Sequence, residues 1–533
     1  MLSPVFVAMT NHINQLTNGT LGDFCIRCHT PVGMAMNEPI NMSSMDRHPT
    51  SREGVTCVVC HRINQAWGKG AGRQALVSGG INSPIFGPVG NQTLQHVLSD
   101  PKKYGRLKTD PNDDERGSDV HARVVPFFQL TRPGFCGACH DVFSPTGFRL
   151  EDAFSEYKAS PAARRHGHTC QDCHMGTVPG LPAGYDCAPA AKLGNVYTPD
   201  RKRTNHMFVG PDYSIVHPGI FPHNPEAVKE EHPGFVQKGQ AHGLATMREW
   251  LEFDYRAGWG TPEFERNLPD GFEDYVPAAW AKASRRFRAR DILKKQFELL
   301  DEATGFRHHL LATGYRLGKI NVKSANRHGI KFCVEVSNGT TGHGVPTGFD
   351  ADRLVFLRVT VRDNNGKLVF LSGDLDPNGD IRDSHSLYVH NGKLPIDRQL
   401  FSLQSRFLTR NIRGGEREQV LPVNISMDPL PFIRPETRPF TVFGRPIDSR
   451  KHKQGIEVGG RRIANYQIKR SQLSGCGPYH VTVHLVAGMV PVNLVHKISP
   501  AGFDYFMSAR QVADAIVEGH LTLHERSATI RVR

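Results

Sequence analysis

Hydrophobic and polar positions change their rhythm twice along the chain. Up to about residue 215 there is little sustained periodicity, and Gly, Pro, His and Asn interrupt most apolar runs. Residues 153–165 are the exception and predict a helix. Between about 216 and 320 helical spacing takes over. Ile292, Leu293, Phe297 and Leu300 share one face of the segment 286–303, while Lys294, Lys295 and Glu298 supply the wet face. From about residue 321 the period becomes two, and 331–336, 354–362, 367–371, 479–486 and 528–532 predict strands. Asp363-Asn-Asn-Gly366 predicts the hairpin turn between two of them. A helix over 505–518 is expected to pack on the end of this region. The expected fold class is α+β and multidomain. An irregular to α-helical domain spans 1–215, a helical connector 216–320, and a β-sandwich of immunoglobulin type 321–533. No run of 18 or more apolar residues occurs, so no membrane-spanning helix is expected.

Cysteine spacing changes the picture of the first segment. Eight of the 11 cysteines fall into pairs: Cys25-Ile-Arg-Cys28-His29, Cys57-Val-Val-Cys60-His61, Cys136-Gly-Ala-Cys139-His140 and Cys170-Gln-Asp-Cys173-His174. This is the C-x-x-C-H haem-attachment pattern four times over, against about 0.01 occurrences expected from random placement at this composition. Two thiols three positions apart reach one porphyrin edge and add to its vinyl groups, while the following imidazole is held under the iron. The cofactor expected is therefore haem c, four per chain, with Cys25, Cys28, Cys57, Cys60, Cys136, Cys139, Cys170 and Cys173 as attachment points and His29, His61, His140 and His174 as proximal ligands. Zinc knuckles also use paired cysteines, but give no reason for a histidine after every second one. A thioredoxin-like redox pair would occur once, in a βαβ context. Packing around porphyrin also accounts for the weak periodicity of 1–215.

Charge adds less. The formal net charge is +13, from 65 Lys and Arg against 52 Asp and Glu. Four haems bring about −4 when oxidised and about −8 when reduced, leaving roughly +9 or +5. A cationic surface facing an acidic redox partner follows. Nucleic-acid binding does not, for no recognition motif is present.

On these residues the first half resembles the multihaem cytochromes related to the cytochrome c554 group: Gly54-Val-Thr-Cys-Val-Val-Cys-His61, Phe135-Cys-Gly-Ala-Cys-His-Asp-Val142 and Thr169-Cys-Gln-Asp-Cys-His-Met175. The second half resembles the β-domain that follows in many of them, marked by Asn338, Thr341-Gly-His-Gly-Val-Pro-Thr-Gly348 and Arg353. The resemblance implies electron transfer through closely stacked haems, most with two axial histidines. It also implies export to the periplasm or the cell exterior. The opening run Met-Leu-Ser-Pro-Val-Phe-Val-Ala-Met-Thr lacks the basic region of a secretory signal, so either a leader was removed or the start is assigned differently. Relatives often carry a histidine before the fourth motif, where this chain reads Ala159-Ser-Pro-Ala-Ala-Arg164.

The sixth ligands decide function, because an iron closed by two imidazoles suits outer-sphere transfer and an open position invites substrate. The unassigned histidines before residue 215 are His12, His48, His96, His121, His166, His168 and His206. His206, in Asn205-His-Met-Phe208, resembles a recurring distal ligand of relatives. His121, His48 and His12 follow as candidates, and His168 lies too close to Cys170 to cross its own ring. His343, between Gly342 and Gly344 in a loop with Pro346, is a further candidate that would make good the histidine missing before the fourth motif. Each competes with an ordinary hydrogen-bonded histidine, and Met34, Met36, Met42, Met45 and Met207 are alternative ligands. Of the leftover cysteines, Cys333 and Cys476 share a predicted domain and form the candidate disulfide, against burial as small apolar groups.

An electron carrier is expected rather than an enzyme, since all four motifs end in histidine. Its partners would be other redox proteins, such as cytochromes, quinol-oxidising modules or terminal reductases. A haem enzyme acting on a small nitrogen or sulfur compound, and a homo-oligomer or cytochrome filament subunit, remain as rivals.

Overall fold

The computed structural model describes residues 3–16, 18–19, 22–65, 72, 75–143, 149–235, 243–410, 418–420, 449–473 and 477–532. Five helices recur below: α1 (Pro4–Leu16), α2 (Ala153–Ala159), α3 (Ala283–Gly314), α4 (Val492–Ile498) and α5 (Ala509–Glu518). Strands β1 (Tyr315–Leu317), β2 (Asn321–Asn326), β3 (Gly329–Asn338), β4 (Leu354–Arg362), β5 (Leu368–Ser372), β6 (Arg461–Lys469), β7 (Tyr479–Gly488) and β8 (Leu521–Ile530) build two antiparallel sheets. In the first, β6 pairs along nearly the whole of β3, and β1 and β2 share its other edge. The second runs β5-β4-β7-β8.

Alternation explains why these segments are strands. Ile330, Phe332, Val334 and Val336 of β3 join Ala464, Tyr466 and Ile468 of β6 in one buried cluster, and the second sheet adds Val355, Leu357, Val359, Val361, Val481, Val483 and Leu485 to it. Strand β4 also covers its other face, where Leu354 and Phe356 meet Ile381 and Val486. An uninterrupted Leu-Val-Phe-Leu run is the consequence of burial on both sides. The turn at 363–366 closes as expected: the Asp363 carboxylate accepts from the amides of Asn365 and Lys367, and Gly366 sits at φ +79°.

Several elements differ from their sequence expectation. Strand β6 was not anticipated because Ile463, 54% exposed, breaks its apparent alternation. Strand β8 starts at Leu521, seven residues before the expected strand, through Thr522, His524 and Glu525 that face outward or pair with β7. Helix α3 is 32 residues long and runs past Thr304 and Gly305. The helix over 153–165 breaks at Ser160, whose extended ψ of 160° is the conformation a residue before proline prefers; a second turn, Pro161–Arg164, restarts with the Ser160 hydroxyl as its cap. At the C-terminal end Tyr505 and Phe506 hold φ near +60°, so α5 begins only at Ala509, behind a Ser508/Gln511 capping box.

Packing does not follow sequence order. Val5 and Ala8 of α1 are buried with Val492, Leu494, Val495 and Ile498 of α4 and Val512, Ala513 and Ile516 of α5. Asp504 accepts hydrogen bonds from the Ser43 hydroxyl and the Ser44 amide. Ile13 meets Leu150 and Ala351. The middle of the chain has its own core around Trp250, Phe253 and Trp280, on which α3 lays Ala289, Ile292 and Leu293. Arg286, 1% exposed, is held there by both carboxylate oxygens of Glu265 and by the carbonyls of Trp280 and Ala281. Among the described residues no helix is long and apolar enough to cross a membrane.

His217 borders this middle core as a neutral ring, its Nε2–H donating to the Phe253 carbonyl and its Nδ1 accepting from Gly219. Burial pulls its pKa down to about 4. Between the ordinary value and that one the unfolded chain takes up a proton that the folded chain refuses. Stability is therefore full above about pH 6.5 and falls on acidification toward pH 4, by at most about 1.4 kcal/mol per pH unit. Urea unfolding at pH 7 and pH 5 measures this, and His217→Asn is expected to flatten the difference; an equal pH slope in the variant would refute the assignment.

Candidate functional site

Each C-x-x-C-H segment forms a single helical turn, which is why its spacing works. The turns are Ile26–His29 with Cys25 at its cap, Cys57–His61, Pro133–Gly137 continued by a hydrogen bond from His140 N to Cys136 O, and Cys170–His174. Positions i and i+3 of such a turn lie on one side, with i+4 beside them. The intervening residues are not idle: Asp172 closes a capping box with Thr169.

The turns converge on the third motif. The Gly72 amide donates to the Ala138 carbonyl of the third motif, and a Cβ at Gly72 would run into Cys28 Sγ of the first, so these two motifs flank one residue, while the turn of the fourth packs against that of the third. Cys60 of the second is close enough to feel the charges of Cys136 and Cys139. Burial pushes the Cys25, Cys60 and Cys173 thiols up to about 11. The contact between Cys136 and Cys170 lowers the former and raises the latter.

Of the histidines that end the motifs, His61 and His174 are half-buried while His29 and His140 keep exposed surface. Burial pulls His29 and His174 down to about 4. Phe6 of α1 stacks on His29 with ring centroids 4.0 Å apart. His140 is raised to about 9 by its hydrogen bond to Glu151, at Nδ1–Oε1 2.9 Å.

Two histidines from other parts of the chain stand opposite proximal rings. His206 faces His61 and His343 faces His174, each with centroids 6.5 Å apart, at interplanar angles of 35° and 11°. Two metal–imidazole bonds of about 2 Å each, plus the two half-rings, give a separation of roughly 6–6.5 Å. Both pairs therefore fit an iron between them. Protonation fits as well. Nδ1 of His61, His206 and His343 meets the carbonyls of Phe86, Thr204 and Gly344 at 2.7, 3.0 and 3.0 Å. A carbonyl only accepts, so Nδ1 holds the proton and Nε2 keeps its lone pair for a metal.

The other candidates are placed differently. His121 has the same tautomer, with Nδ1 on the Ile81 carbonyl at 2.7 Å, and is half-buried. His48 accepts the Thr50 amide at Nδ1, which puts the proton of the neutral ring on Nε2. His12 lies buried on α1. His166 and His168 stack on each other at 5.7 Å. Arg353 pairs with Asp212 at 2.5 Å. Cys333 is buried in β3, Cys187 is exposed, and Cys476 lies outside the described residues.

His343 reaches His174 because its loop is clamped from both sides. Asn338 donates from Nδ2 to the carbonyls of His343 and Ile456, both at 3.0 Å. Glu156 of α2 accepts at Oε2 from the Gly344 amide (3.2 Å) and the Thr347 hydroxyl (2.8 Å). Lys453 bridges Glu156 to Asp152. Neither Glu151 nor Glu156 stood out in the sequence, since a lone carboxylate carries no spacing signal; only its distance from a histidine or a loop amide reveals it.

Among the described residues no three His, Cys, Asp or Glu side chains are gathered as ligands of one metal ion. Among solved structures the chain is similar to a penta-heme cytochrome c552 from Thermochromatium tepidum, at 14% identity and a TM-score of 0.43 over 95% of this chain and 83% of that one. No family model and no curated protein matches it.

Glu156→Ala should release the loop that carries His343. A hydrogen bond to a charged acceptor contributes about 1.5 kcal/mol or more, so the Gly344 amide is expected to exchange with deuterium roughly ten-fold faster or more. Unchanged protection at Gly344 would show that Asn338 alone holds the loop.

Proposed function

We propose that this chain is a multihaem c-type cytochrome that carries electrons between redox proteins through four covalently attached haems. The observation that carries the reading is the pairing of C-x-x-C-H histidines with second imidazoles at 6.5 Å, His61 with His206 and His174 with His343. Covalently bound haem supplies one-electron chemistry at iron. The chain's own residues do the rest. The eight paired cysteines anchor it, His29, His61, His140 and His174 ligate from one side, and His206 and His343 close two sites from the other. For the sites of His29 and His140 the second ligands come from His12, His121 and His48, of which His48 has to turn its tautomer over.

Two closed sites favour carriage over small-molecule catalysis. The first and fourth motifs both lie beside the third, as a path for electrons requires. The basic net charge suits an acidic redox partner. Export to the periplasm or cell exterior goes with covalent haem attachment. On this reading the two-sheet region is a β-sandwich of immunoglobulin type whose loop donates His343.

Acid-acetone extraction followed by the pyridine haemochrome assay is expected to recover four haem equivalents in the protein fraction. None there would end the reading. His206→Ala and His343→Ala are each expected to convert one low-spin EPR signal to high-spin, because losing an axial imidazole opens the iron. Unchanged spectra in both would remove the assigned pairs.

A further inference from the structure

The Nδ1 acceptor of His140 differs in kind from those of the three other site histidines whose Nδ1 bond is seen. His61, His206 and His343 give their Nδ1 protons to neutral backbone carbonyls. His140 gives its own to a carboxylate, Glu151 Oε1, at 2.9 Å. The contact is set by strand register. The short strand Arg149–Glu151 pairs with Val142–Phe143 so that Glu151 lies across from Val142, two residues beyond His140. A slip of one residue would turn the side chain to the opposite face. The two-sheet region closes the back of the site: a Cβ at Gly348 would come 3.4 Å from Glu151 Oε1, and Gly348 holds φ +78°. The carboxylate keeps 21% of its side-chain surface exposed, while the His140 ring it holds is exposed on its other side.

A charged acceptor makes a stronger hydrogen bond than a neutral one, and it draws the Nδ1 proton away from the ring. The ring becomes a more basic ligand, which favours ferric over ferrous iron. We propose that Glu151 is a positioning residue that sets the potential of the third site, holding the iron ligated by His140 at the most negative potential of the four. The proposal rests on the multihaem reading above. Its consequence follows from how the motifs pack: the third lies beside both the first and the fourth, so Glu151 makes the step at their crossing the uphill one.

The test uses the full-length holoprotein with its haem content established first. Spectroelectrochemical titration of the native protein is expected to resolve one component below the rest, and EPR one low-spin signal with g values set apart by the stronger ligand. In Glu151→Gln, with four haems retained, that component should move positive and that signal should shift, while the others hold. Glu151→Asp, which weakens the contact by shortening the side chain, should move the same component the same way by less, and serves if the Gln variant does not accumulate. Unchanged potentials and EPR in either variant overturn the role of Glu151 while leaving four attached haems in place. A uniform shift of all components also overturns it, because loss of a distant charge acts on every site. Absence of covalent haem from the protein fraction instead overturns the underlying reading and the proposal with it.

Discussion

A metal held between two imidazoles imposes a separation that neither ring can choose alone. One ring of each pair, His61 or His174, belongs to a helical turn that also presents two thiols, and its orientation follows from that turn. On the proposed reading the other, His206 or His343, is the second ligand, and its ring lies 6.5 Å away. His206 arrives after a loop-rich excursion past the fourth motif, and His343 from the far end of β3, across the whole middle core. Fixing Nδ1 on a backbone carbonyl sets the ring's tautomer and its rotation together, which is why the same device recurs at His61, His206 and His343.

Between the third and fourth motifs runs an acidic stretch, Glu151, Asp152 and Glu156, and each of its members is engaged. Glu151 takes the His140 proton, Glu156 takes two donors of the His343 loop, and Lys453 spans Asp152 and Glu156. Partly buried carboxylates are stable only when their lone pairs are met, so this stretch binds the two-sheet region to the haem-motif region through polar contacts with defined geometry. Apolar contacts do the same job without direction: α1 against α4 and α5, and Ile13 against Leu150 and Ala351. The termini of the chain are joined in this way, which leaves the N-terminal helix dependent on residues about 500 positions later in sequence.

Short-range chemistry was legible before any coordinates. The spacing of cysteine, cysteine and histidine within five residues states the attachment chemistry by itself, because the turn that presents those groups is a local structure. Apolar positions at short spacing likewise announced β3, β4, β5 and β7, even though Asn338 and Ser372 are buried within them. Legibility failed where a local exception was decided by a neighbour. Exposed Ile463 hid β6, the polar outward face of β8 hid its first half, and Ser160 before Pro161 divided a helix that composition alone would continue.

The pairing of rings was of the other kind. His206 and His343 were candidates by resemblance and by loop composition, but which proximal histidine each faces depends on closing loops of more than a hundred residues, and no pattern in the sequence encodes that distance. The same holds for Glu151, which is an ordinary acidic residue until strand register brings it beneath His140. The sequence by itself determined the chemistry each segment carries, since that follows from residues joined by a few bonds. The tertiary structure alone decided which segments act on one another, since that follows from how separate apolar and charged surfaces are buried together.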